Sequence, residues 1–199
     1  MPRLAEAWAR DVAEEDLVLI PGDISWAMQL AEAARDLAFL SGLPGKKVLL
    51  RGNHDYWWNS YRQVCDSLPP GVYAVQNNAL RFDEVAVAGS RGWLSPLHNA
   101  FSEETDRKIF ERELGRLRLS LSRLPEGTVN LVMLHFPPFS EKGEPTEFVR
   151  ALEEFQVTHV VYGHLHGAAG KSAFSGQRNG IHYHFVSADY LTFSPKQIL

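Results

Sequence analysis

Four places in this 199-residue chain put oxygen or imidazole donors at the end of an apolar run. "LVLIPGD" ends at Asp23, and "VLLRGNHD" brings Asn53, His54 and Asp55. "LVMLHFPP" carries His135, and "VVYGHLHG" carries His164 and His166. Each run is short and closed by Gly or Pro, the pattern of a buried strand running into a turn. Imidazole suits zinc, iron, nickel and copper, while carboxylate and amide oxygens suit harder ions such as manganese. One bridging carboxylate with several imidazoles is the donor set of two-metal hydrolysis, in which the ions stand ~3.5–4 Å apart.

Taken singly, each signal has a plainer reading. Asp23 after Pro-Gly could cap a helix starting near Ser25, and Asn53 is a common turn residue. His135 before Phe-Pro-Pro reads alone as a satisfied strand-end histidine. Two histidines at i and i+2 between glycines, as in "GHLHG", are a stronger signal, and the four in this order are far more specific than any one. His98, His159, His182 and His184 have no such setting and read as surface or sheet residues. Trp57 and Trp58 read as core or pocket wall. Arg91, in "GSRGW" after another apolar run, is a candidate phosphate fork or, equally, a loop arginine.

The elements that must hold these residues alternate. "LAEAWARDVAEE" reads as a helix, "DLVLIPGD" as a strand, and "SWAMQLAEAARDLAFLSGLPG" as a helix closed by Gly and Pro. "KKVLLRGNHD", "VYAVQN" and "EVAVAGSRGW" read as strands. "SEETDRKIFERELGRLRLSLSRL" mixes both charge signs at helical spacing and reads as a helix with a solvated face. A strand ("TVNLVMLHFPPF"), a helix ("TEFVRALEEF") and a strand ("VTHVVYGHLHG") follow. "GIHYHFVSADYLTF" alternates like a half-exposed strand. Strands alternating with helices give an α/β domain with a largely parallel core, and the strand-rich later stretches point to a second sheet. Ligands of open α/β sheets bind beyond the carboxyl ends of strands. Parallel neighbours would bring Asp23, Asn53, His135, His164 and His166 to one crevice.

Composition narrows the class. Hydrophobic residues make up 45% and charged residues 22%, which is globular rather than disordered. A formal charge of −4 gives no basic footprint for nucleic acid. Cys65 is the only cysteine, so no intrachain disulfide forms. The first residues lack a basic region followed by an apolar core, and no apolar run approaches the ~20 residues that span a bilayer. The expected location is the cytoplasm, with no membrane partner.

The ordered set "GD … GNHD … LH … GHLH" resembles the calcineurin-like metallophosphoesterase superfamily, from about Leu17 to the C-terminus. "LIPGDISWAM", "RGNHDYWW" and "YGHLHG" resemble a bacterial branch of it. The resemblance implies two packed mixed β-sheets flanked by helices, a four-layer αββα sandwich. It also implies hydrolysis of a small-molecule phosphoester, with two divalent ions (Mn, Fe, Zn, Co or Ni) and in-line attack by metal-bound hydroxide. By the same resemblance Asp23 bridges the ions, Asn53, His135 and His164 complete one of them, and His166 serves the other. His54 then contacts the phosphate and leaving group, and Asp55 orients His54.

One departure stands out. The superfamily opens on a strand ending in Asp-x-His, and no aspartate here is followed two residues later by histidine. The expectation is a single domain over residues 1–199 with its first strand missing, through a misassigned start, a natural truncation or a fragment, the first being favoured. That loss would bare a sheet edge and leave at most one tightly held ion. The alternative function is an impaired chain that binds phosphate or a partner.

Overall fold

Three apolar runs, Leu17–Ile20 (β1), Lys46–Leu50 (β2) and Val72–Val75 (β3), pair in parallel in the order β1-β2-β3. The remaining strands are Ala79–Phe82 (β4), Val85–Ser90 (β5), Val129–Leu134 (β6), His159–Tyr162 (β7), Gly176–Arg178 (β8) and Ile181–Phe185 (β9). They form a mixed sheet in the order β4-β5-β6-β7-β9-β8, parallel from β5 to β9 and antiparallel at both edges. Five helices connect them: Pro2–Asp11 (α1), Leu30–Ser41 (α2), Tyr61–Ser67 (α3), Arg107–Leu121 (α4) and Glu147–Glu153 (α5). These observations come from a computed structural model, which describes residues 2–199.

The period-2 alternation of each strand sorts its side chains between layers. Along β6, Leu131 and Met133, beside Val87 and Val161 of the same sheet, face the smaller sheet and meet its Val48, Leu50 and Val75. Val132 and Leu134 face the opposite way, onto Phe110 and Leu117 of α4 and Phe148 of α5. On the outer face of the smaller sheet, Leu49 and Ala74 pack against Trp8 of α1, Leu37 of α2 and Val64 of α3. Trp57 and Trp58 are fully buried in that same cluster. Three apolar seams separate four layers, the expected αββα arrangement. The smaller sheet is wholly parallel, where a mixed one was expected.

Three local expectations fail for visible reasons. The second helix begins at Leu30, not Ser25. The backbone N–H groups of Ile24 and Ser25 donate to the Asp55 carboxylate, which holds that stretch outside the helix. Helix α3 and strands β4 and β8 were not anticipated, being seven, four and three residues long and too short for a clear period. The α4 face is not simply solvated: Glu113 is buried, and Arg112 and Arg116 line a solvent-open cavity.

β1, β2, β6 and β7 all run the same way, so their carboxyl ends meet at one rim of the sandwich. The four motifs lie on that rim.

Candidate metal centre at the strand tips

β1 ends at Pro21, which has no N–H to continue a ladder. Its carbonyl accepts a hydrogen bond from His135 Nδ1 at 2.9 Å. A carbonyl only accepts, so the proton must sit on Nδ1, and the neutral ring then offers a lone pair at Nε2. Burial holds this imidazole below its ordinary pKa despite the opposing pull of Asp23. Nε2 lies 2.7 Å from Asn53 Oδ1, 3.2 Å from His164 Nδ1 and 3.5 Å from Asp23 Oδ2. Asn53 Oδ1 is 2.9 Å from His164 Nδ1. Burial, reinforced by His135, pushes the His164 imidazole down to about 4. An amide oxygen, two neutral imidazoles and a carboxylate therefore converge from four strand tips.

The backbone is shaped to allow this. Asp23 and His164 adopt left-handed conformations, φ 55° and 71°. These are uncommon for residues other than glycine and persist where the surroundings over-determine them. Gly52 approaches Asp23 so closely that a Cβ there would lie 2.1 Å from Asp23 Oδ1. Gly22, at φ 103°, would place a Cβ 2.6 Å from His135 Nδ1.

Asp55 was expected to orient His54. It does something else. Its buried carboxylate accepts from the backbone N–H groups of Asp23, Ile24, Ser25 and Gly52 and from Trp57 Nε1, at 2.7–3.1 Å. It locks the β1 and β2 tips together. The His54 ring instead has Tyr56 Oη 3.2 Å from Nδ1 and the Trp26 ring 4.5 Å away between centroids. The His54 backbone N–H donates to Asp23 Oδ1 at 2.9 Å, which aims that carboxylate. Trp26 and Tyr56 were not singled out in the sequence. Their signal was nearness to the motifs, and Trp26 is 74% exposed.

His166 and Arg91 do not join the four donors. His166 lines the same large cavity, but its exposed ring donates from Nδ1 to Asp189 Oδ1 at 3.0 Å. Asp189 also accepts the Gly167 N–H and was not foreseen as a partner. The Arg91 guanidinium faces Glu113 at 3.5 Å and the Trp93 ring at 4.5 Å. Its backbone carbonyl accepts the N–H groups of His135 and Phe136.

The donor set suits one divalent ion, with imidazole, carboxylate and amide oxygen together. Asn53 is essential to that fit: among the described residues no three His, Cys, Asp or Glu side chains alone form a group able to hold an ion. A second ion would find only Asp23 and the already engaged His166 of the expected ligands.

The sequence profile of the calcineurin-like phosphoesterases matches residues 2–168. The chain belongs to the calcineurin-like phosphoesterases. This family member is 26% identical over 175 residues to the Gene 66 protein of Mycobacterium phage D29, covering 88% of its own length and 70% of the phage protein. Its fold is similar to the crystal structure of phosphopantetheinyl hydrolase from Mycobacterium tuberculosis. That similarity has a TM-score of 0.61 and 16% identity, over 90% of this chain and 82% of the other. No helix among the described residues is long and apolar enough to cross a membrane.

Proposed function

We propose that the chain hydrolyses a small-molecule phosphoester at the rim formed by β1, β2, β6 and β7, using one divalent ion held by Asp23, Asn53, His135 and His164. One observation carries this reading. Asn53 Oδ1, His135 Nε2 and His164 Nδ1 lie within 3.2 Å of one another, and with the His135 proton on Nδ1 and the His164 proton on Nε2 all three turn lone pairs to one point. A cation is the group that satisfies them together. When bound, a divalent ion supplies a Lewis acid for a phosphoryl oxygen and acidifies water.

The chain's own side chains do the rest. Asp23 supplies the carboxylate, held in place by the His54 N–H and by the Asp55 lock on its own backbone. His54 stands at the mouth, held by Tyr56 and Trp26 and free to give a proton to the leaving oxygen. That role contributes ~10²–10⁴-fold. Trp26 and Tyr56, exposed beside it, offer an aromatic wall to the leaving group. A net charge of −4 disfavours a polyanionic nucleic acid as substrate.

The test is turnover of p-nitrophenyl phosphate and bis-p-nitrophenyl phosphate in manganese, with metal analysis on the same samples. One ion per chain is expected, lost in Asp23→Asn and His135→Gln. His54→Ala should lose ~10²–10⁴-fold in turnover and keep its ion. Ion loss in step with activity in His54→Ala would overturn its assignment. Tight ion binding with no hydrolysis of either ester would overturn the enzymatic reading and leave a binding module.

A further inference from the structure

Next to the rim lies a second cavity of about 320 Å³ lined by four arginines and Gln76 beside Glu113 and the apolar Leu50, Trp93 and Ile109. Arg51 enters it from the end of β2, Arg91 from the end of β5, and Arg112 and Arg116 from one face of α4. The one carboxylate lining the cavity is Glu113, which is buried. It faces Arg116 at 2.8 Å and Arg91 and Arg112 at 3.5 Å, and it also accepts from the Ser90 hydroxyl. Even with Asp55 acting on Arg51 from outside the lining, four guanidiniums outnumber the carboxylates near them, in a chain whose net charge is −4.

This is a poor way to build a purely structural ion pair. Two arginines at i and i+4 on a helix repel. Buried cations are stable only when each is paired and hydrogen-bonded. Here the Nε atoms of Arg51 and Arg91 are buried with no hydrogen-bond partner. The Gln76 amide oxygen accepts from Trp58 Nε1 at 3.0 Å, which leaves its NH₂ as a further donor to the cavity. Trp93 forms an apolar wall and stacks on Arg91. Burial draws the Arg91 guanidinium down to about 10, so it stays charged at neutral pH. A concave site of planar forks asks for a ligand with several acceptor oxygens and negative charge. Its volume is at the small end of ligand pockets, which begin at ~300 Å³.

We propose that this cavity binds a phosphate-type dianion, presented either as a second anionic group of the substrate or as free phosphate. The site is wired to the rim through the backbone. Arg51 stands two residues before Asn53, and the Arg91 carbonyl accepts the His135 N–H at 3.1 Å. A second anionic group on the substrate would narrow the substrate class to doubly charged esters. That part rests on the proposed hydrolysis; the binding itself does not.

The first arm titrates chelator-treated, metal-free protein with inorganic phosphate by calorimetry, so that no ion at the rim contributes. One phosphate per chain is expected. Arg112→Gln and Arg116→Gln should each weaken it ~10-fold or more, the loss of one charge-assisted hydrogen bond. Glu113→Gln should tighten it by removing the competing carboxylate. If that variant does not fold, the two arginine variants decide. Absence of binding, or equal affinity in wild type and both arginine variants, overturns the proposal. The second arm compares hydrolysis of a bisphosphorylated sugar and of p-nitrophenyl phosphate in manganese. A KM raised by Arg112→Gln for the bisphosphorylated sugar alone assigns the site to the substrate. An equal weakening of phosphate inhibition against both esters assigns it to free phosphate. Because the first arm needs no turnover, its failure is distinct from a failure of the hydrolase reading.

Discussion

Replacing Asp55 by asparagine separates two roles for this residue. In the structure Oδ2 accepts from Gly52 and Asp23, and Oδ1 accepts from Ile24, Ser25 and Trp57 Nε1. An asparagine has one acceptor oxygen and one NH₂. Its better orientation keeps oxygen at the three-donor side and turns NH₂ toward the N–H groups of Gly52 and Asp23. Two backbone donors then lose their acceptor in a buried place. At about 1–3 kcal/mol for each orphaned group, Asp55→Asn should destabilise the chain by roughly 2–6 kcal/mol. For a chain of this size 1 kcal/mol moves Tm by ~2–4 °C, so a fall of roughly 5 °C or more is expected. The assay is thermal unfolding of metal-free protein followed by circular dichroism, with urea unfolding as a check. Manganese affinity should fall as well, because the lock holds Asp23 and Gly52 together. The opposite result is informative. Unchanged Tm and ion affinity with lost turnover would mean that Asp55 acts on the chemistry through His54, and the locking role would be refuted.

Three further outcomes follow from the same geometry. Gly52→Ala puts a Cβ 2.1 Å from Asp23 Oδ1; the overpacking should cost about 1–3 kcal/mol or more and lower manganese affinity, and an unchanged melt and titration would refute the close approach. His164 and His184 are both pushed down to about 4, chiefly by burial. An unfolded histidine titrates near ~6.5, so the stability they hold above that pH is lost as pH falls toward about 4. Tm of the metal-free chain should therefore drop between pH 7 and pH 5, less so in His184→Gln, and a flat profile would count against burial of these rings. Trp26→Ala removes an exposed ring, so its stability should stay within ~0.5 kcal/mol of wild type while turnover falls several-fold because His54 loses its stacking partner. A large loss in Tm with normal turnover would reverse that reading.

Much of this was legible in the chain, and the illegible parts share a cause. The strands that carry the motifs are apolar runs ended by Gly or Pro, and a parallel order alone brings their tips to one rim. Hence Asp23, Asn53, His135 and His164 could be grouped from sequence. Asp55 could not be understood that way, because its donors include Asp23, Ile24 and Ser25, some thirty residues earlier. Nothing local to "GNHD" records them. His166 faces Asp189 across 23 positions, and "SADYLTF" gave no sign of an acid aimed back at the rim. Arg112, Glu113 and Arg116 looked like an ordinary charged helix face, because helical spacing cannot tell solvent from the end of β5. The short elements α3, β4 and β8 are set by their neighbours rather than by a period of their own.

The donors at the rim lie far apart along the chain. His135 reaches back to Pro21 over 114 positions, and His164 reaches Asn53 over 111. Closing loops of that length is slow, and contacts of such range form late on the way to the native state. An ion bound there has nothing to grip until the sandwich is nearly complete. It therefore slows unfolding far more than it speeds folding. On the proposed reading, a divalent ion would preserve the finished molecule rather than aid its refolding, and a protease should find the loaded chain resistant long after it has cut the stripped one.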